Sequence, residues 1–397
     1  MNRVVKGIIS FAVATAIVFG GFVFSGNFQS PISAEASVNS WSGRTPKYIF
    51  LFIGDGMSYT QINAANDYLG AVENEGKQVE SINLEFTKFP VTGSATTFDS
   101  TSFCPDSAST ATSIATGYKT LSGVINMDEQ KQIAYETISE KLKDQLGYKI
   151  GVVSSVPIDH ATPAAFYAHQ PSRGNAYEIA QELVTSNFDY FAGGGFQAPT
   201  GKNKDKENII DVATKAGYTI ADSKEEILAI SSASEKVIAL APDAVGGAFP
   251  YEIDREAGEL SLADYTRKGI EMLYNKTGFF MMVEGGKIDW ACHANDASAS
   301  IQDTIAFDEA VQEAVKFYNK YPKDTLIIVT GDHETGGLAV GYAGTGYSTY
   351  LTMLEEQTMS YEAFDAHVTE YRTKKTSFAS AMKEVKDNFG LMINTDL

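Results

Sequence analysis

The segment Phe279-Phe-Met-Met-Val283 and its continuation, Glu284-Gly-Gly-Lys-Ile-Asp289-Trp-Ala-Cys-His293, indicate the fold class most directly. The apolar run has the length and composition of a strand buried in a sheet. Two carboxylates and an imidazole follow this strand, where ligands bind in open α/β sheets. Asp289 and His293 are four residues apart, so one helical turn would bring them to one face, and this ligand pair suits zinc. A solvated polar loop with an isolated histidine is the alternative.

Three further apolar runs show the same arrangement. Each is rich in β-branched or aromatic residues, which is typical of a strand buried on both faces, and polar side chains follow it. Strand and helix patterns alternate along the chain, which predicts an α/β fold with a mostly parallel central sheet and helices on both faces. Any one of these polar groups would also fit an ordinary turn. Ordinary turns are much less expected to place such groups at the corresponding ends of four separate strands. The runs are Lys47–Ile53 with Asp55, Lys149–Ser155 with His160 and Thr162, and Thr325–Thr330 with Asp332 and His333.

A helix of small residues is predicted between Asp106 and Gly117, because Asp is a good N-cap and Gly suits the position after a helix. Ser107 would be its first residue, where the backbone N–H groups and the helix dipole favour an anion. A hydroxyl in that position is a candidate nucleophile. The alternative, which is more common for a single Asp-Ser pair, is a capped helix whose serine has no catalytic role. Arg173 follows His160 and Thr162 beyond the strand Lys149–Ser155, and a guanidinium can bind phosphate as a bidentate donor, although an ordinary polar loop is the alternative.

The remaining patterns complete the prediction. A strand is predicted over Gly93–Phe98, and another over 188–195 leads into a glycine turn. Amphipathic helical segments are predicted from Leu351 to Phe389. Other predicted helices are Ser58–Tyr68, Ala134–Gln145, Lys206–Ala216, Ser223–Ala229, Ser261–Tyr274 and Ser298–Tyr318.

Residues 1–36 have the pattern of a secretory signal peptide. Arg3 and Lys6 precede an apolar stretch over 7–24, and Ala34-Glu-Ala36 has the small-x-small form of a cleavage site. An uncleaved membrane anchor is the alternative, since the stretch is nearly long enough to span a bilayer. We expect a secreted, periplasmic or cell-surface protein with no stable membrane association after cleavage.

Composition limits the partners of this chain. With 31 basic and 50 acidic residues, its net charge of −19 does not suit nucleic-acid binding. Any anion site therefore needs local positive charge from a metal or from arginine. Cys104 and Cys292 are the only cysteines, and the sequence leaves open whether they form a disulfide or remain packed thiols.

In this order and spacing the motifs resemble the alkaline phosphatase family of metal-dependent phosphatases, from Lys47 to about Leu338. This resemblance implies a phosphomonoesterase that hydrolyses small phosphate monoesters through a phosphoserine, with two Zn²⁺ and one Mg²⁺, and it is compatible with a homodimer. The matching segments are Ile53-Gly-Asp-Gly-Met57, Asp106-Ser-Ala108, His160-Ala-Thr-Pro-Ala-Ala165 with Arg173, Glu284-Gly-Gly-Lys-Ile-Asp289 with His293, and Asp332-His-Glu-Thr-Gly-Gly337.

The resemblance also implies a role for each matching residue. Ser107 would be the nucleophile, and Arg173 would bind the phosphoryl oxygens. His160 stands where some members have Asp, and Trp290 stands where some have Lys or His. Both would therefore lie beside the magnesium and the phosphate, where they would contact the metal ligands or the phosphate itself. The implied ligands are Asp55, Asp332 and His333 for one zinc, Asp289 and His293 for the other, and Asp55, Thr162 and Glu284 for magnesium.

One part of the family pattern does not occur in this sequence. The family completes the zinc site of Asp289 and His293 with a histidine in a His-Ser/Thr-Gly sequence near its C-terminus, and His367 does not match that sequence. We therefore expect a fragment whose last part begins a peripheral "crown" insertion without the return to the core. The expected organisation is a signal peptide over 1–36, a core domain over 37–341 and the partial insertion over 342–397.

Two other functions remain as alternatives. One is a relative that acts on phosphodiesters or sulfate esters. Sulfatases need a Cys/Ser-x-Pro-x-Arg sequence, and Cys104-Pro-Asp-Ser107 lacks both that spacing and the arginine. The other is an inactive surface protein that binds metal or phosphate, which the missing histidine motif makes plausible. Turnover of a chromogenic monoester would separate an enzyme from a binding protein.

Overall fold

A seven-stranded sheet forms the centre of the computed structural model, which describes residues 45–341 and 343–391. Its strand order is β4-β5-β3-β2-β6-β1-β7, and each described pair of neighbours is parallel. The predicted α/β fold with a mostly parallel sheet is confirmed. The strands are β1 (Tyr48–Gly54), β2 (Lys149–Ser154), β3 (Tyr190–Gly193), β4 (Thr219–Ala221), β5 (Val237–Leu240), β6 (Phe279–Gly285) and β7 (Thr325–Gly331).

Helices connect these strands and cover the sheet. Short 3₁₀ turns occur at Glu85–Lys88, Ala343–Thr345 and Leu351–Glu356. The α-helices of the described residues are α1 (Tyr59–Glu73), α2 (Ser107–Thr116), α3 (Ile138–Leu146), α4 (Ala161–Ala164), α5 (Ala176–Ser186), α6 (Ile209–Lys215), α7 (Lys224–Ala229), α8 (Leu262–Leu273), α9 (Lys287–His293), α10 (Ala297–Lys320), α11 (Tyr361–Lys374) and α12 (Phe378–Phe389).

The side chains of β1 alternate between two apolar cores, one on each face of the sheet. Phe50 and Phe52 are fully buried on one face, where Phe52 meets Phe307 of α10 edge to face. Leu51 and Ile53 enter the core on the other face. Burial of one such aromatic or aliphatic side chain contributes about 1.5–3 kcal/mol. This two-sided burial explains why the run reads as continuously apolar instead of alternating.

The register of the strands brings the polar residues to one edge of the sheet. Four adjacent strands, β2, β6, β1 and β7, carry the predicted site residues at or just beyond their carboxyl ends. Gly54 of β1 pairs with Gly285 of β6 on one side and with Gly331 of β7 on the other. Asp55 and Asp332, which follow two of these glycines, therefore leave the sheet at the same level.

Helix α2 forms as predicted. The side chain of Asp106 caps it by accepting a hydrogen bond from the Ser109 N–H, and Gly117 ends it in the left-handed conformation at φ 81°. Ala108 and Ala111 are fully buried, so the helix packs closely on its neighbours. A capping side chain of this kind contributes about 1 kcal/mol. The cap fixes Ser107 as the first helical residue.

Three predictions about elements are corrected. The predicted strand at Gly93–Phe98 is an irregular, largely exposed segment, because no neighbouring strand offers it hydrogen bonds. The predicted buried strand at Thr325–Thr330 exists, but it is the edge strand β7, and Leu326 and Ile328 are about 40% exposed. Helix α3 begins at Ile138 and not at Ala134, because Thr137 and Glu140 form a capping box.

Some predictions concern residues that lie outside the described part of the chain. The signal peptide over 1–36 is one of them. Within residues 45–341 and 343–391, no helix combines the length and the apolar character needed to cross a membrane. Cys104 and Cys292 are free thiols and form no disulfide with each other, but only Cys292 is packed, since Cys104 is exposed.

Candidate active site

Ser107 lies at the start of α2 and is only 4% exposed. Its Oγ donates a hydrogen bond to Asp55 Oδ1 at 3.3 Å and lies 3.3 Å from His333 Nε2. The hydroxyl is thus in contact with residues from the ends of β1 and β7. The helix N-terminus behind it favours a developing negative charge. This arrangement suits a nucleophile that attacks an anionic substrate.

Asp55, Asp332 and His333 form a buried cluster beside this serine. Their ligand-type atoms all lie within 4.8 Å of one another, and His333 Nε2 is 3.2 Å from Asp55 Oδ1. Asp332 Oδ1 accepts hydrogen bonds from the backbone N–H groups of Gly56 and His333, and Oδ2 accepts one from Thr110. These hydrogen bonds fix the orientation of the carboxylate.

The crowding of charges shifts the pKa values of this cluster in opposite directions. Burial acts to raise the pKa of Asp55, but the hydrogen bond and charge of His333 outweigh it and lower the pKa to about 2. Burial and the nearby charge of Asp55 raise the pKa of Asp332 to about 7. Burial acts to lower the pKa of His333, yet Asp332 and Asp55 raise it to about 10. The cluster therefore strongly favours added positive charge.

Glu284, at the end of β6, extends the cluster on the other side of Asp55. Burial and the charge of Asp55 raise the pKa of Glu284 well above its usual range. Its Oε2 accepts a hydrogen bond from Ser154, whereas its buried Oε1 has no partner among the described residues. Thr162 donates a hydrogen bond to Asp55 Oδ2 at 3.3 Å. Hard oxygen donors that crowd together without a cation fit a divalent metal ion.

Asp289 and His293 lie on α9 with Asp289 Oδ2 3.4 Å from His293 Nε2, so the helical spacing brings them together as predicted. Asp289 is buried, but the side chain of His293 is 72% exposed. Thr335 Oγ1 donates to Asp289 Oδ1 at 2.6 Å. Gly56 permits this approach, because a Cβ there would lie 2.6 Å from Thr335 Oγ1. This pair is the more open half of the site.

Arg173 is held from two sides at the mouth of the site. One of its Nη atoms donates to Asp106 Oδ2 at 3.0 Å, and the other lies 3.0 Å from His160 Nε2. Burial, followed by the charge of Arg173, lowers the pKa of His160 to about 4. Two fixed contacts leave the planar guanidinium oriented for an oxyanion.

A cleft of about 680 Å³ opens over these residues. Its lining includes Phe103, Ser107, Arg173, Trp290 and His293. The Trp290 ring lies edge to face against His160, with centroids 5.9 Å apart. The cleft has the size of a small-molecule binding site, and its floor is polar and charged.

All eleven residues predicted from the sequence thus belong to one connected region of the structure. His160 and Asp55 also lie with Glu284 in a second group that could hold a metal. Since a guanidinium only donates, His160 Nε2 accepts from Arg173, whereas the buried Nδ1 of His160 has no hydrogen-bond partner among the described residues. Sequence reasoning missed Thr335 and Ser154, and assigned Asp106 only as a cap. The sequence signal that could have identified these three residues is their position inside or beside the motifs quoted above.

Comparison with known proteins agrees with this geometry. The family model for alkaline phosphatase matches residues 46–391. Alkaline phosphatase 3 of Bacillus subtilis is 32% identical to this chain over 355 residues, which covers 87% of this chain and 72% of that protein.

Solved structures show the same likeness. A cold-active alkaline phosphatase from Shewanella sp. superposes with a TM-score of 0.74 and 28% identity, over 88% of this chain and 81% of that one. A histidine-to-aspartate variant of TAB5 alkaline phosphatase, with Mg bound in its M3 site, has a TM-score of 0.64 and 34% identity, over 77% and 84% of the two chains. The fold and site together define a phosphatase enzyme. The chain belongs to the alkaline phosphatase family.

Proposed function

We propose that this protein is an exported phosphomonoesterase that hydrolyses small phosphate monoesters through a phosphoserine at Ser107. The observation that carries the proposal is the position of the Ser107 Oγ, which lies at a helix start and 3.3 Å from both Asp55 and His333. The two groups that the serine contacts are buried and have strongly shifted pKa values, a combination that clusters at functional sites.

We assign three metal positions to the residues that crowd together. Asp55, Asp332 and His333 would hold one zinc ion, Asp289 and His293 a second, and Asp55, Thr162 and Glu284 a magnesium ion. Carboxylate with imidazole suits zinc, and oxygen donors alone suit magnesium. When bound, such cations supply the positive charge that activates the serine hydroxyl and water and neutralises the phosphoryl oxygens.

The residues of the chain perform the positioning. The guanidinium of Arg173 would bind two phosphoryl oxygens and place the phosphorus near Ser107. The Ser107 Oγ would then give up its proton to water and form a bond to phosphorus as the ester P–O bond breaks, and the leaving oxygen would take a proton from water and depart as an alcohol. Asp55 Oδ1, which accepts the hydrogen bond of the serine hydroxyl, orients the Oγ lone pairs towards the cleft. Water then cleaves the phosphoserine and releases inorganic phosphate.

We also propose the organisation predicted from the sequence. Residues 1–36 would be a signal peptide, 37–341 the core domain and 342–397 part of a peripheral insertion. The protein left after cleavage would be secreted, periplasmic or attached to the cell surface. Sequencing the N-terminus of the protein recovered outside the cytoplasm would test this, since cleavage after Ala36 predicts Ser37 as the first residue.

The substitution Ser107→Ala tests the nucleophile. Turnover of 4-nitrophenyl phosphate should fall by about a thousandfold or more, because the attacking oxygen is removed. Ser113→Ala is the matched control, since Ser113 lies on the same helix and its hydroxyl donates a hydrogen bond to the backbone carbonyl of Ser109. Phosphate should be trapped on Ser107 after an acid quench. Near-normal turnover in Ser107→Ala, or faster hydrolysis of a phosphodiester or sulfate ester than of the monoester, would contradict the proposal.

A further inference from the structure

Lys287 is a fully buried cation at the start of α9, the helix that also carries Asp289, Trp290 and His293. Its Nζ lies 2.7 Å from Glu362 Oε2 on α11. The same Nζ lies 3.5 Å from the ring centroid of Tyr251 and 5.1 Å from that of Trp290. A buried ammonium is tolerated only where an anion and aromatic faces replace the lost water.

Glu362 is the anion that balances this lysine. Asp254 and Asp303 are also near, but no ion pair within 4.0 Å joins either of them to Lys287 in the part of the chain that the structure describes. Burial raises the pKa of Asp303 to about 8, which disfavours a negative charge on this carboxyl. The charge on Lys287 is therefore compensated through a residue of α11, which lies 75 positions later in the chain.

The start of α11 is fixed in place by its own hydrogen bonds. The backbone N–H of Tyr361 donates to Asp296 Oδ2 at 2.9 Å, and the N–H of Ser360 donates to Asp254 Oδ1 at 2.8 Å. Gln357 donates to the other oxygen of Asp296. Glu362 thus approaches Lys287 from a docked segment.

A continuous set of contacts runs from this ion pair to the cleft. Lys287 lies beside the Trp290 ring, and Trp290 lies edge to face against His160 at 5.9 Å. His160 Nε2 accepts a hydrogen bond from Arg173. Any shift of the Trp290 ring would therefore change the support under the guanidinium.

We propose that Glu362 is a positioning residue for phosphate binding, which acts through Lys287, Trp290 and His160 on Arg173. The inference rests on the proposed function, because it takes Arg173 as the phosphate-binding group. Loss of the Glu362 charge removes the anion that holds the Lys287 ammonium beside the Trp290 ring, so the Lys287 side chain turns towards water and the Trp290 ring loses this support. Binding of the phosphoryl group weakens as a result, while the nucleophile and the carboxylate cluster keep their contacts.

The test uses Trp290 as a reporter. The chain has two tryptophans, Trp41 and Trp290, so a Trp41→Phe background makes the fluorescence specific to the cleft. In that background, Glu362→Gln should increase acrylamide quenching of Trp290 and raise both KM and the inhibition constant of inorganic phosphate about tenfold, with kcat within about twofold. Glu370→Gln is the matched control, because Glu370 lies on the same helix and forms an exposed ion pair with Lys374.

A second variant keeps the test decisive if Glu362→Gln does not fold. The double substitution Lys287→Met with Glu362→Gln removes both charges and leaves no uncompensated ion. It should fold, and quenching of Trp290 and KM should still rise, because methionine provides no cation for the Trp290 and Tyr251 rings.

The outcomes separate positioning from mere stabilisation. If Glu362→Gln lowers the melting temperature but leaves Trp290 quenching and KM at the values of the control, Glu362 is only structural and the inference is wrong. If the double variant has the quenching and KM of the parent, the inference is also wrong. If the parent protein hydrolyses no monoester but Glu362→Gln still exposes Trp290, the proposed function fails while the link from Glu362 to the cleft stands.

Discussion

Arg173 and His160 face each other with Nη2 and Nε2 3.0 Å apart. Because a guanidinium can only donate, the imidazole must be neutral and must accept through Nε2. Its lowered pKa, about 4, has burial as the first cause and the charge of Arg173 as the second. With Asp106 on the other side, Arg173 is held by one anion and one neutral acceptor.

Arg173→Ala should weaken phosphate binding more than it slows turnover. The inhibition constant of inorganic phosphate and the KM for a monoester should rise by about 10- to 100-fold, because a fixed bidentate donor is lost. Arg267→Ala serves as control, since Arg267 forms its ion pair with Asp264 on α8, outside the lining of the cleft. Steady-state kinetics measure both constants. An unchanged inhibition constant would show that Arg173 does not bind the phosphate.

Removal of divalent cations should abolish activity and lower thermal stability together. Asp55, Asp332 and Glu284 are buried within one cluster, where burial and mutual repulsion raise the pKa values of Asp332 and Glu284, so loss of bound cations forces the cluster to take up protons instead. Ligand binding to the folded state adds about 4 kcal/mol at a thousandfold excess over its dissociation constant. Exhaustive chelation, followed by addition of zinc with magnesium, should reverse both effects in calorimetry and in turnover. Full activity after chelation would rule out the metal assignment.

The two proposed zinc positions should differ in affinity. Asp55, Asp332 and His333, which are assigned to the first position, are all buried. The second position has two assigned ligands among the described residues, Asp289 and His293, and the side chain of His293 is largely exposed. A catalytic zinc site normally has three protein ligands. Zinc titration should therefore show one tight and one readily exchanged ion, and a burst of product followed by slow turnover.

His367 provides the control for that titration. It lies on α11, 3.0 Å from Glu384 Oε2, and its ring stacks on Phe364 with centroids 5.3 Å apart. His367→Ala should leave both zinc affinities unchanged, because these contacts hold the imidazole in its own helix pair. Loss of one zinc in His367→Ala would show that this histidine completes the weaker site.

His169 should stabilise the fold in a pH-dependent way. Burial acts to lower its pKa, but Glu140 and Glu182, each 3.4 Å away, raise the pKa to about 10. The folded pKa lies above the usual 6.5, so the stabilisation is complete below about pH 6.5 and is lost as the pH rises through about 10.

His169→Gln should therefore lower the free energy of unfolding by on the order of 2 kcal/mol at about pH 6 and by less at about pH 10.5. Urea unfolding of both proteins at each pH measures this difference, and the titration of other groups cancels in the comparison. An equal loss at both pH values would show that His169 carries no charge in the folded state.

Local sequence pattern was sufficient to predict most of the sheet and of the candidate site. The apolar run Phe279–Val283 is buried at every position of β6, and its local pattern was enough to predict a strand there. Parallel strands end at one edge, so Asp55, Glu284 and Asp332 had to converge once the strands were identified. The i, i+4 spacing of Asp289 and His293 is likewise local.

Which segments pair with a neighbouring strand, and which side chains meet, depends on contacts between distant parts of the chain. Gly93–Phe98 has strand-forming residues but no neighbouring strand, and β7 is apolar but lies at an edge. The contacts of Arg173 with His160 and of Lys287 with Glu362 join residues whose spacing carries no periodic signal. The free energy of burying a side chain depends mainly on its type, so it can be judged from the sequence. Ion pairs and ring contacts instead depend on angstrom-scale packing between distant segments.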